Sequence, residues 1–186
     1  MANAPLSNDP HAFERAGELL RKGAAAEAAA LLHPLVENGR GGLLARLQFA
    51  RALAACGAIE EALAIARETA LLFPNAAPAA LGLGEALLAN SQLPTAIAEF
   101  QRALRIDPNL DEARFLLGKT WLDAGEPGKA LQELQSIPPE HSPTGLPGLV
   151  CEAEQMQRAA RSNPRYVRHL FDQFSSDYDA RMLGQL

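Results

Sequence analysis

The side chains that could do chemistry in this chain are few and scattered. His11, His33, His141 and His169 stand far apart, with no H-E-x-x-H element and no His/Cys group at metal-ligand spacing. Cys56 and Cys151 stand alone without a C-x-x-C pair, which reads as two reduced thiols in a cytoplasmic protein. No serine, histidine and acid fall in a recognisable catalytic order. Gly82-Leu83-Gly84 resembles a fragment of a cofactor loop, but such a loop must follow a strand and open a helix. Here it sits inside a helical stretch. Arg158, Arg161, Arg165 and Arg168, at spacings of 3, 4 and 3, could form a basic face. Pro164 breaks that face, and Glu152, Glu154, Asp172, Asp177 and Asp179 balance the four arginines and Arg181 to zero, so a solvated surface is expected. No catalytic residue, metal site or cofactor is assigned, and the chain as it stands is expected not to be an enzyme.

What must position any functional surface is helix. Of 186 residues, 36 are Ala and 30 are Leu, while Val and Ile together number 8. Strands need β-branched residues, and Ala and Leu are the best helix formers, so the composition predicts an all-α protein. A doubly wound nucleotide-binding domain is excluded on the same ground. The net charge, 17 − 22 = −5, disfavours nucleic acid and anionic membranes as partners. The N-terminus, Met1 to Pro10, lacks the basic and apolar regions of a signal peptide. No apolar run approaches the roughly 18 residues that span a bilayer. A soluble cytoplasmic protein is expected.

Four columns recur at a spacing of 34. Small residues stand at Ala16, Ala50, Gly84 and Gly118, followed by Leu19, Leu53, Leu87 and Trp121. Turn formers come at Gly23, Gly57, Ser91 and Gly125, then Ala28, Ala62, Ala96 and Ala130. Pro74 and Pro108 end two units at the same spacing. Each unit reads as a helical hairpin. In the third, Ala79 to Leu88 is helical and runs out near Asn90-Ser91. Pro94 opens the next helix, where its missing N–H costs nothing. Ile97, Phe100, Ala103 and Leu104 form an apolar stripe on that helix, and Asp107-Pro108 stops it. The small columns predict where two antiparallel helices touch.

On these residues the chain resembles the tetratricopeptide family, with units at about 9–40, 43–74, 77–108 and 111–137, the first degenerate. The resemblance implies a right-handed superhelical array of about four antiparallel hairpins, an α-solenoid, whose first helices line a concave groove that binds a protein or peptide. By register, the expected groove carries Phe13, Leu47, Leu81 and Phe115, with Leu20, Leu88 and Leu122 in a second ladder beside Ala54. Arg51, Glu85 and Lys119 lie between the ladders. Family members that grip a C-terminal carboxylate use Lys, Asn and Arg in this groove. The mostly apolar positions here argue against such a clamp. They leave two readings, burial by neighbouring hairpins or an apolar trough for an amphipathic helix.

After a flexible N-terminus (residues 1–8) and the array (9–137), residues 138–148 hold four prolines and two glycines among the stretch that begins at Ile137, and read as a linker. Residues 149–186 read as capping and amphipathic helices, the first from Leu149 to Ser162 and covering the last hairpin. Val167, Leu170, Phe171, Phe174 and Tyr178 then form one apolar side, a docking face that could fold back on the array or pair two copies as a homodimer. The stretch from Tyr166 to Met182 is similar to the lead-in of repeat arrays fused to S-adenosylmethionine-dependent methyltransferases. That resemblance implies an alternative role, the recruiting part of a methyltransferase whose catalytic domain is not in this chain.

Overall fold

A computed structural model describes residues 11–37, 39 and 41–158. Among these, all regular structure is helical: α1 (Ala12–Arg21), α2 (Ala25–Glu37), α3 (Gly42–Ala55), α4 (Ile59–Leu72), α5 (Ala77–Ala89), α6 (Leu93–Ile106), α7 (Asp111–Asp123), α8 (Pro127–Gln135) and α9 (Leu146–Arg158), with a short 3-10 turn at Pro139–His141. The all-α prediction holds. The described residues fall into two compact units divided after Asn90, one with α1 to α5 and one with α6 to α9.

In the first unit each helix packs against the next in the chain, and α3 also lies beside α5. Antiparallel turns make this possible. At the end of α3 the Gly57 N–H donates to the Ala54 carbonyl (3.1 Å) and the Ala58 N–H to the Leu53 carbonyl (2.9 Å). That pair of bonds requires a left-handed residue just past the helix, and Gly57 supplies it with φ 89°. Gly23 and Gly125 repeat both the bonds and the conformation, with φ 78° and 79°. The turn column is therefore a column of backbone conformation, and the Leu19, Leu53 and Trp121 carbonyls receive its outer bond. Ser91 holds the same place with φ 59°, unusual for a residue with a Cβ. Leu32, Phe49, Leu53 and Leu63 are buried in this unit's core, and half-buried Phe13 and Leu20 pack on it from α1.

The second unit packs α6 on α7, α7 on α8 and α8 on α9. Gly118 of the small column lies at such a helix contact. A Cβ built on Gly118 would lie 2.6 Å from Leu134 Cγ and Cδ2 and 3.4 Å from the Ala130 carbonyl, so α7 and α8 touch backbone to side chain. Ala28, Ala62, Ala96 and Ala130 are all fully buried. Two buried threonines satisfy themselves: the Thr69 and Thr120 hydroxyls each donate to the carbonyl one turn back, both at 2.6 Å.

One boundary differs from expectation. The predicted linker is partly structured, and α9 starts at Leu146, three residues early. Pro147 is the second residue of that helix, where proline lacks nothing the helix needs, so it marks a start and not a break. His141 in the 3-10 turn meets Asp111 at the start of α7 at 2.7 Å, which ties this connection down.

Candidate binding groove

The first helices of the first unit bring several of the expected groove residues together. Leu47 and Arg51 project from α3 and Glu85 from α5 into one cleft of about 280 Å³. Its remaining walls are small: Ala50, Ala54 and Ala55 on α3, Gly82 and Ala86 on α5. Ala50 and Ala54, like Gly82 and Ala86, are one turn apart on their helix, so side chains that could fill the space are missing from both sides at once. A Cβ on Gly82 would come within 2.5 Å of Leu47 Cδ2, which shows how closely the Leu47 side chain covers that backbone. Across the cleft, Arg51 Nε donates to Glu85 Oε2 at 2.9 Å. The two residues are 34 apart in sequence, so equivalent positions of successive hairpins form the pair.

The other expected groove residues vary in exposure. Leu81 is buried, 3% exposed, and Leu122 in the second unit is 5% exposed. Phe13, Leu20, Leu88 and Phe115 are half-buried, while Lys119 is exposed. The residues Val167, Leu170, Phe171, Phe174 and Tyr178 lie outside the described residues.

Sequence reasoning passed over Gly82 as a decoy and never considered Ala55 or Ala86. A signal for Gly82 was available. A glycine inside a helix costs about 1 kcal/mol relative to alanine, so one that lies off the small column calls for its own packing reason. A second cleft, also not anticipated, lies between α8 and α9 in the second unit. It encloses about 510 Å³ and is lined chiefly by polar side chains, among them Gln132, Gln135, Glu154, Gln157 and Arg158. Glu154 and Arg158 pair along α9 at 3.3 Å.

Electrostatics elsewhere serve the frame. Arg46 on α3 meets Glu68 on α4 through two contacts of 3.1 Å, one of them a well-directed hydrogen bond. Arg114 donates to the Pro108 carbonyl at 2.6 Å and faces Glu133 at 3.7 Å, joining α7 to α8. Burial holds the Glu133 carboxyl above its ordinary value, and the Arg114 charge offsets this only in part. Lys129 sits over the Trp121 ring, 4.3 Å from its centre. Among the described residues no group of three or more His, Cys, Asp or Glu could hold a metal ion, and no helix is long and apolar enough to cross a membrane.

The hairpin geometry and the 34-residue register define a class of helical repeat, and comparison with known proteins gives that class a name. Residues 87–143 match the Tetratricopeptide repeat family. The chain is similar to TTC0263, a thermophilic TPR protein of Thermus thermophilus, at 21% identity and TM-score 0.68, covering 82% of this chain and 83% of that one. It is also similar to MamA of Desulfovibrio magneticus RS-1 (16%, TM-score 0.58, 84% and 80%). A third similar structure is YrrB, described as a TPR protein with an unusual peptide-binding site (17%, TM-score 0.56, 91% and 76%). At these identities the likeness establishes the fold, which is that of tetratricopeptide proteins. No curated protein sequence matches the chain.

Proposed function

We propose that this chain is a non-catalytic tetratricopeptide scaffold that binds a protein or peptide segment along the first helices α3 and α5. The observation that carries the reading is the apolar cleft between those helices, walled by small residues and crossed by the Arg51–Glu85 pair. A solvent-facing apolar cleft in a fold of this kind suits a segment that presents a few side chains to it. The peptide-binding site in the description of YrrB supports the same reading by analogy of fold. The two free cysteines suit a reducing compartment, and we place the protein in the cytoplasm.

The alternative, a recruiting part of a methyltransferase, rests on the sequence of residues 166–182 alone, and these lie outside the described residues. No feature of the described helices favours it over a free-standing scaffold.

The test is a selection of displayed random peptides on the full-length chain. Peptides that bind the parent should lose binding to Ala55→Trp, because an indole at this exposed position covers the cleft. Peptides that bind the variant as well as the parent would place the binding surface elsewhere and refute the reading.

A further inference from the structure

The lining of the cleft between α3 and α5 carries one charge of each sign, Arg51 and Glu85. Arg51 Nε and Glu85 Oε2 are 2.9 Å apart, a charge-assisted hydrogen bond between half-exposed groups. A partner's carboxylate drawn to Arg51 would meet the Glu85 carboxylate at the same place. The attraction of Arg51 and the repulsion of Glu85 then largely cancel, so little offsets the hydration a carboxylate loses on entering an apolar cleft. A partner's ammonium drawn to Glu85 meets the mirror problem with Arg51.

Every other wall of the cleft is apolar: Leu47, Ala50, Ala54, Ala55, Gly82 and Ala86. Its volume of about 280 Å³ has room for a branched or flexible aliphatic side chain with part of its backbone. Leu47, lying across Gly82, offers that side chain an apolar edge to pack on. Resting on the binding role above, we infer that this cleft selects one uncharged aliphatic side chain of leucine or methionine size from the partner segment, and discriminates against a carboxylate. A charged terminus or an acidic residue is the occupant it is built to refuse.

The inference can be tested without knowing the partner. Amide shifts of the isotope-labelled full-length chain would be followed on titration with N-acetyl-leucinamide and, separately, with N-acetyl-leucine, which differs by its free carboxylate. The amide should produce saturable shifts at Ala54, Gly82 and Ala86, and the carboxylate should bind those positions severalfold more weakly through its lost hydration. Ala55→Trp should abolish the shifts with an unchanged melting temperature. Should that variant fold poorly, Ala86→Phe fills the same space from the other helix. Equal or tighter binding of the carboxylate would overturn the inference, as would shifts confined to other parts of the chain. If a selected peptide shifts these amides while leucinamide does not, the side-chain preference is wrong and the binding role survives. If neither does, both fall.

Discussion

Two glycines, each inside a first helix, are put to opposite uses in the two units. Gly118 on α7 lies on the 34-residue small column, and its missing side chain is occupied by Leu134 of α8, which is 1% exposed. Gly82 on α5 lies two residues off that column, and the space above it is covered by Leu47 of α3, which is only half-buried and lines a cleft. The first contact closes a hairpin; the second leaves an opening between hairpins. The difference teaches that an on-register glycine can serve the contact within a hairpin. An off-register one, Gly82, lies under an opening between hairpins.

The comparison breaks most visibly at Gly118. Gly118→Val forces methyl groups into a locked leucine and should cost about 1–3 kcal/mol, since the gain in helix propensity over glycine is only a few tenths. Urea unfolding followed by the fluorescence of Trp121, the single tryptophan and a neighbour on α7, measures it directly. An unchanged midpoint would mean that the α7–α8 contact is loose and the small column decorative.

A smaller effect comes from the same α7–α8 contact through its charges. The Glu133 carboxyl is raised above its ordinary 4.5, chiefly by burial. Folded protein therefore holds this proton more tightly than unfolded chain does. The site favours folding below pH 4.5, and that contribution is lost as pH rises from 4.5 through the raised value. Glu133→Gln should remove this slope and raise the melting temperature modestly at pH 7. Arg114→Leu should push Glu133 higher still and destabilise more at pH 7 than at pH 4. Melting curves at the two pH values decide, and parallel losses for Arg114→Leu would show that the ion pair carries no pH dependence.

The smallest effect is expected at Gly82, and its smallness is the point. Gly82→Ala meets only the flexible end of Leu47, which can turn away, and alanine improves helix propensity by up to about 1 kcal/mol. Stability should stay within about 1 kcal/mol of the parent while the cleft loses its apolar edge. A loss as large as that of Gly118→Val would erase the distinction between the two glycines.

The hairpins were legible because a turn conformation is a local property. Gly57 adopts φ 89° as the turn demands, and Gly23, Gly57 and Gly125 write that need into the sequence three times, with Ser91 filling the same place. The helix contact at Gly118 and Ala130 was legible for the same reason, as both partners recur at fixed spacing. Depth of burial was not. Leu47 and Leu81 occupy the same register, yet one lines a cleft and the other is buried, because exposure depends on side chains of other helices that no spacing within one helix records. Proline at the start of α9 misled in a different way. Pro147 signals a helix start as readily as a stop, and the surrounding glycines and prolines tipped the reading toward a linker.

The central claim is that the cleft between α3 and α5, and not the polar one between α8 and α9, is the binding surface. The most direct measurement is an amide-shift map of the full-length chain with a peptide selected for binding to it. The account predicts the largest shifts within residues 47–55 and 82–86. Shifts concentrated instead at residues 128–135 and 154–158, with the α3 and α5 amides unmoved, would contradict it.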